Sequence, residues 1–403
     1  MPKQTLYKLF FSDLDAYKKE YENRFNDEET IHLNIDIGDN PAFICQTAAI
    51  YRRLISIERN DKKINLLCDK LPGVAIVQFA KRCLIDEIIL TNNIEGVYST
   101  RRDISTILQD LSINNKKERF VGLVRKYSRL MQEEIIPIKT CQDIRNIYDD
   151  IFYEEVKASD PNNLPDGEIF RKDSVSVYSK TDKEIHRGLL PESKVISVME
   201  RALHFLNDDA IEPLFRTAIF HYLFGYIHPF YDGNGRTSRF ISSYLLSKEL
   251  NPLIGYRISY TIKDHINQYY NAFKICNDSR NKGDLTPFVE MFMEIVDISA
   301  KQLCDALEKR VYQFNYYLSS IENLPGYNNN PKDMSNLYSL LIQAALFSEI
   351  GISRKELENE MGLSYNTLRS RLAFIPKELL IESRQERHIY YMLNLDEVNK
   401  YLL

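Results

Sequence analysis

The chain contains no tryptophan, and its 403 residues include only 14 glycines and 14 prolines. So few helix breakers leave long windows rich in Leu, Ile, Lys and Glu uninterrupted, which excludes collagen-like and loop-dominated chains and points to helix. The six cysteines, Cys45, Cys68, Cys83, Cys141, Cys276 and Cys304, are scattered, with no C-x-x-C pair and no histidine at metal-finger spacing. They read as reduced core thiols of a cytoplasmic protein, so neither a disulfide framework nor a structural zinc site is expected. Long apolar runs are missing, and the opening MPKQTLYKLFFSDLDAYKKEY returns to charge too soon for a secretory leader, so no membrane partner is expected. Charge of one sign is not in excess either: 52 basic against 57 acidic residues, net −5, argue against a nucleic-acid coat or a cationic membrane binder but allow a local basic site.

Length predicts two or three domains. Helical spacing runs from Ala75 to Glu95, with Gly96 where a C-terminal cap belongs. Further helices are expected over STRRDISTILQDL, RFVGLVRKYSRLMQ and KTCQDIRNIYDDIFYEEV, the last capped by Thr140. The alternation in SVSVYS, the turn residues TDK and the return EIHRG predict a small β-hairpin. Helices then follow over SKVISVMERALHFLN, EPLFRTAIFHYLFGYI, TSRFISSYLLSKEL, IKDHINQYYNAFKIC and the long stretch from LTPFVEM to VYQF. Residues 1–78 form a mainly helical helper region in which IHLNIDI reads as a short strand, and 301–332 a linker helix and loop ending in the turn-rich ENLPGYNNNPKD. Beyond it, 333–403 orders as helix, helix, turn, helix and β-ribbon, the pattern of a winged helix-turn-helix.

One stretch carries the chemistry. In HPFYDGNGRTSR, from His228 to Arg239, an apolar helix meets Pro229, which cannot continue it, so His228 stands at a helix end facing a site. Gly233 and Gly235 free the backbone to converge its N–H groups into an anion nest, to which the next helix, starting near Arg236, adds its positive end. Arg236 and Arg239 share one face of the first turn, so their planar forks suit a di- or triphosphate. Asp232 opposes bare phosphate but fits a bridging divalent cation, with Mg²⁺ the natural choice. His228 has the pKa to take a proton from an attacking alcohol.

These residues match the Fic signature H-x-F-x-[D/E]-G-N-G-R-x-x-R at every specified position, and residues 79–300 resemble a Fic catalytic core, mainly α with the hairpin as its target-binding flap. The resemblance implies AMP transfer from ATP to a Ser, Thr or Tyr hydroxyl of a target protein and of the chain itself. It makes His228 the general base, Asp232 the Mg²⁺ ligand, Gly233, Asn234 and Gly235 the anion hole, and Arg236 and Arg239 the clamp on the outer phosphates, with Phe230 packing the loop into the core. Gly235 stands where phosphotransferase relatives carry lysine, which favours nucleotidyl transfer. YYNAFKICN resembles the adenine-side helix, making Tyr269, Tyr270 and Asn277 candidates for ATP binding, while DSRNK before Gly283 departs from the usual spacing. TNNIEG, from Thr91 to Gly96, matches the inhibitory pattern [S/T]-x-x-x-E-[G/N], so 79–96 resembles an inhibitory helix. A carboxylate at a helix C-terminus opposes the dipole and needs a cation, and Arg239 is the expected partner of Glu95. In some relatives this glutamate serves AMP removal, and the resemblance leaves both directions open.

Other readings stand beside these. His221, one helical stretch before His228, forms with His228 and Asp232 a weak case for a transition metal, which the GNGR turn makes pointless, so it reads as a packed helix residue. Of Tyr269 and Tyr270, at least one is expected in the core. In the C-terminal unit, Tyr365, Asn366, Arg369 and Arg371 lie on a helix suited to a DNA groove, yet Ser335 to Leu403 holds eight Lys or Arg against nine Asp or Glu. Protein interaction, including a homodimer, therefore stands level with DNA binding. The rival to the enzyme is an ATP-sensing winged-helix DNA-binding regulator with little turnover.

Overall fold

The structure is a computed structural model that describes residues 4–109, 119–178, 184–385 and 388–402. The chain packs as two compact units, one of residues 1–61 with 84–301 and one of 62–83 with 302–403. Where the sequence suggested four segments, the first 61 residues join the catalytic span and 302–332 joins the C-terminal unit. The division falls inside three helices, which no turn signal could mark.

The larger unit opens with α1 (Leu6–Ser12) and α2 (Leu14–Phe25), the hairpin β1 (Ile31–Ile37) and β2 (Asn40–Ile44), and α3 (Ala48–Cys68). The strand IHLNIDI buries Leu33, Ile35 and Ile37 on one face, while its partner was not legible because Pro41 reads against a strand. After α4 (Gly73–Ile94) come α5 (Arg101–Gln109), α6 (Val121–Met131) and α7 (Cys141–Ser159). Thr140 caps α7 in a capping box with Asp143. The remainder of the STRRDISTILQDL helix lies outside the described residues. The predicted hairpin is β3 (Ser176–Tyr178) paired antiparallel with β4 (Glu184–Arg187), and its TDK turn also lies outside the described residues.

The middle of this unit is α8 (Glu192–Leu206), α9 (Pro213–Ile227) and α10 (Asn234–Glu249), with α9 packed against both neighbours. An apolar sequence all round makes α9 a core helix: Leu214, Phe215, Ala218, Phe220, Leu223 and Ile227 are all buried. Pro213 starts it, and the Glu212 carboxylate accepts from Phe215 N at 2.9 Å. Next come α11 (Pro252–Gly255), α12 (Ile258–Asp264), α13 (Ile266–Asn277) and α14 (Thr286–Ser319). IKDHINQYYNAFKIC, read as one helix, is two: the chain breaks at His265, where no proline or glycine warns of it, and α13 is re-aimed so that the Tyr269 hydroxyl reaches His221 at 2.8 Å.

The stretch DSRNK seats the N-terminal helices. Tyr17 Oη donates to Arg280 O at 2.9 Å, the Arg280 guanidinium lies 4.7 Å from the Phe11 ring, and buried Arg24 pairs with buried Asp284 at 2.9 Å. In the smaller unit, α15 (Pro331–Phe347), β5 (Ile352–Ser353), α16 (Arg354–Met361), α17 (Tyr365–Leu372), β6 (Leu380–Gln385), β7 (His388–Leu393) and α18 (Leu395–Leu402) follow in order, with strands arranged β5-β7-β6. Arg371 does not project freely: its Nε pairs with Asp333 at 2.8 Å. Among the described residues, no helix is long and apolar enough to cross a membrane.

Removing one partner of a buried ion pair strands the other charge. Asp284→Ala is expected to destabilise the protein by about 3–5 kcal/mol, read as a lower denaturant midpoint, and to release protection of amide hydrogens in α1 and α2. A midpoint equal to wild type would show that Arg24 finds another partner.

Candidate active site

His228 is the C-cap of α9 in a left-handed conformation, φ 53° and ψ 64°, with its N–H donating to Phe224 O at 2.9 Å. That turn sends the chain into Pro229 and leaves the imidazole half-buried at the helix end. The ring shares a hydrogen bond with the backbone of Gly225, three residues earlier on α9. Burial, then the nearby His186, pushes its pKa down to about 3, against the pull of the Gly225 hydrogen bond and of Asp232. The ring is therefore neutral at pH 7, the form that accepts a proton.

The loop after His228 closes on itself. Phe230 stacks on Tyr148 at 3.8 Å and is fully buried. The Asn234 side chain accepts from Phe230 N at 3.0 Å and donates to Phe230 O at 2.7 Å. Asn234, expected in an anion hole, thus has its amide side chain committed to bracing the loop, and only its backbone N–H is offered. Gly233 takes φ 80°, a conformation that disfavours any side chain. It starts α10 two residues earlier than the sequence suggested, with no side-chain cap, so the first backbone N–H groups of the helix lack intrahelical partners. Their positive end faces the space over Gly235.

A carboxylate stands in that space. A Cβ built on Gly235 would run into Glu95 Oε1, and Arg239 Nη2 donates to the same oxygen at 2.7 Å. Thr91, one turn earlier on α4, accepts from Arg239 Nε through its hydroxyl at 2.8 Å and from Nη2 through its carbonyl at 3.0 Å. Arg239 is 1% exposed; burial works against its charge, but the Glu95 carboxylate outweighs this and its pKa is raised. Glu95 follows the end of α4, and Gly96, at φ 73°, turns the chain away.

Arg236 is placed differently from expectation. It is equally buried and reaches back to α7, where Glu155 accepts from Nη1 at 2.7 Å, and it lies 4.4 Å from the Phe152 ring. Its other nitrogen stands 3.7 Å from Asp232, whose own carboxylate accepts from Gly233 N at 2.6 Å. Tyr269 is core, buried and bonded to His221, whereas Tyr270 is 40% exposed and close enough to Glu95 for that charge to help raise its pKa after burial has done so. Asn277 accepts from Tyr222 Oη at 2.7 Å, a bond to α9 rather than to the motif loop. His221 is bonded at both nitrogens, to Ser242 at 2.7 Å and Tyr269 at 2.8 Å, and burial, then Arg239, pushes its pKa down to about 3. It is a packed residue.

Sequence reasoning missed Glu87, Glu155 and Arg171, and named Thr91 only as the first position of the inhibitory pattern. Thr91 and Glu87 lie in register with Glu95, each one turn apart on α4, a spacing that was legible. Glu155 and the fully buried Arg171, whose side chain donates to His228 O at 2.8 Å, carried no signal. Glu87 is fully buried, accepting from Ser259 N at 2.8 Å and from the Ser259 and Ser243 hydroxyls at 2.5 and 3.3 Å. Burial lifts its pKa to about 7, although those bonds and Arg239 pull it down.

A raised carboxyl pKa means that the folded state holds a proton the unfolded state has lost between about pH 4.5 and 7, so stability falls as pH rises through that window. Glu87→Gln is expected to flatten this slope, measured as the thermal midpoint of variant against wild type from pH 4.5 to 7.5. Parallel curves would place the titration elsewhere.

The Fic/DOC family model matches residues 139–246. The protein adenylyltransferase Fic of Drosophila grimshawi is 37% identical over 109 residues, 26% of this chain and 20% of that one. The protein of the same name from Drosophila mojavensis is 37% identical over 109 residues, 26% and 19% of the two chains. The chain thus spans about a fifth of the length of the curated relatives it matches. A Fic family protein of known structure from Desulfovibrio desulfuricans G20 is similar at a TM-score of 0.51 and 19% identity, over 86% of this chain and 96% of that one, a likeness of fold. The helix α9, the loop after it, the hairpin β3–β4 and α10 as far as Leu246 fall within the matched span, and residues 139–246 of this chain are a Fic domain.

Proposed function

We propose that the protein is an adenylyltransferase that moves AMP from ATP to a Ser, Thr or Tyr hydroxyl of a target protein and of itself, and that Glu95 restrains it. The observation that carries this reading is the Glu95 carboxylate over Gly235 with Arg239 at 2.7 Å. An anion already sits at an uncapped helix start against a buried arginine, so the site is built for negative charge. The name of the two relatives, protein adenylyltransferase Fic, supports the same reading.

In this mechanism the target hydroxyl attacks the α-phosphorus of ATP, the bond to pyrophosphate breaks, and the hydroxyl proton passes to His228. The nucleotide's negative charge raises the imidazole's basicity from its resting value. Backbone N–H groups of Asn234 and Gly235 hold phosphate oxygens, and Arg239, once released by Glu95, takes the outer phosphate. Arg236, held by Glu155, braces Asp232. Tyr270 borders the nucleotide; Tyr269 and Asn277 shape the wall behind it. The hairpin β3–β4 offers strand pairing to the target segment. Glu95 can also orient water onto an AMP-protein bond, so removal of AMP belongs to the same site.

The donor set suits Mg²⁺. Asp232 offers a hard carboxylate oxygen on a side chain that is 54% exposed, and Mg²⁺ takes one or two carboxylates with phosphate oxygens and water rather than a protein cage. Among the described residues no group of three or more His, Cys, Asp or Glu side chains could hold a metal ion by itself. Asp232 would hold the ion, which supplies charge neutralisation on the phosphates.

The order helix, strand, helix, turn, helix and two strands supports reading the smaller unit as a winged helix-turn-helix. With Arg371 tied to Asp333, contact with protein, including a second copy of this chain, is favoured over DNA. The ATP-sensing regulator remains the rival reading.

Incubation with labelled ATP and Mg²⁺ separates these. Losing a charge-assisted bond of this kind is worth about 10- to 100-fold, the rise in self-labelling expected for Glu95→Gly, and His228→Ala in that background is expected to abolish the label. An unchanged rate in Glu95→Gly removes the restraint from the mechanism. No label in any variant favours the sensor.

A further inference from the structure

Arg171 is 0% exposed, and no carboxylate bonds it among the described residues. Its guanidinium is held by backbone carbonyls alone: Nη1 donates to Asp173 O at 2.6 Å, Nε to His228 O at 2.8 Å, and Nη2 to Leu189 O at 3.0 Å and Ile227 O at 3.5 Å. Its backbone N–H donates to Pro229 O at 3.3 Å. Three successive carbonyls at the end of α9, those of Ile227, His228 and Pro229, therefore all accept from this one residue. Those carbonyls are the ones that a helix end leaves unpaired, and they carry the negative end of its dipole, which makes a buried cation tolerable there.

The other two carbonyls belong to the hairpin. Asp173 leads into β3 and Leu189 leaves β4, while Gly188 N donates to Val175 O at 3.0 Å and Leu189 N to Ile227 O at 3.2 Å. Gly188 lies against both groups: a Cβ there would run into Arg171 Nη2 and stand 3.0 Å from His228 Cβ. One planar fork thus joins the two ends of the flap to the residue that carries the imidazole. A lysine has one ammonium and no fixed plane, so it cannot satisfy acceptors spread in these directions.

We infer that Arg171 is a positioning residue that sets the register between the β3–β4 flap and His228, and so the distance between a flap-held hydroxyl and the imidazole. This rests on the adenylyl-transfer reading of the site. Arg171 touches none of the residues assigned to the phosphates on α10, so its loss separates two quantities that a general loss of structure would lower together. Proton transfer needs hydrogen-bond reach, and misplacement by about 1 Å is worth about 100-fold in rate.

The test uses the full chain carrying Glu95→Gly, with Mg²⁺ and labelled ATP, and adds Arg171→Lys, Arg171→Met or Gly188→Ala. The last keeps the guanidinium but denies it space, and it decides the matter if Arg171→Met does not fold. The expected result is a fall of about 100-fold in kcat at saturating ATP, with the affinity for a fluorescent ATP analogue within about twofold of the parent. An unchanged kcat in folded variants overturns the inference, as does a parallel fall in kcat, ATP affinity and thermal midpoint. Absence of label in the Glu95→Gly parent itself overturns adenylyl transfer, and this inference with it, and is distinct from a labelled parent whose Arg171 variants label equally.

Discussion

A guanidinium cannot be left alone inside a protein, and Arg239, 1% exposed, is the charge around which this domain is arranged. Its neighbours divide into those that cannot leave and one that can. The Thr91 hydroxyl and carbonyl are part of α4, and Tyr269 and His221 are locked together beside it. Glu95, 33% exposed, follows the end of α4 with a glycine behind it. Only an anion can replace it without leaving the arginine unpaired, and the uncapped start of α10 favours anions in the same place. The restraint and the nucleotide site of the proposed mechanism are therefore one electrostatic requirement met by two alternative partners.

The helix that brings Glu95 there is fixed from its other end. Glu87, Thr91 and Glu95 rise along one face of α4, and Glu87 is sunk among the Ser243, Ser259 and Tyr127 hydroxyls. With its pKa near 7, Glu87 is partly neutral in the range where the rest of the site works, which eases its burial without a cation. Anchoring at Glu87 and Thr91 means that a departure of Glu95 need not disturb the helix. In the proposed mechanism the element that moves is the last turn, which Gly96 follows at φ 73°.

Much of this was legible in the sequence because the signals are local. His228 before Pro229, two glycines and the Glu95 pattern dictate backbone and charge over a dozen residues, and the helix ends fall within a few positions of where caps and prolines put them. The misses share a different physics. Arg236 and Arg239 look alike in sequence, and only tertiary packing sends one toward Glu155 and the other toward Glu95. The backbone place of Asn234 in the loop is legible, but nothing local tells that its side-chain amide is bound to the Phe230 backbone. The break at His265 and the buried Arg171 depend on partners far along the chain, and composition gives no hint of them. The division into two units crosses helix interiors, where propensity is continuous and packing alone decides.

The contrast between the two arginines also bears on which can act as a clamp. Glu155 belongs to the interior of α7, its carboxylate is 11% exposed, and its second oxygen is buried without a hydrogen-bond partner among the described residues. To free Arg236, Glu155 would have to move with its helix, or remain as a buried unpaired charge at a cost of several kcal/mol. Glu95 has water on one side and a glycine hinge on the other, so its release exposes a carboxylate that solvent can take up. In the proposed mechanism the same pairing chemistry thus yields one permanent brace and one exchangeable partner. In the proposed mechanism, phosphate recognition therefore rests on Arg239 and the backbone of α10, with Arg236 acting through the loop it stiffens.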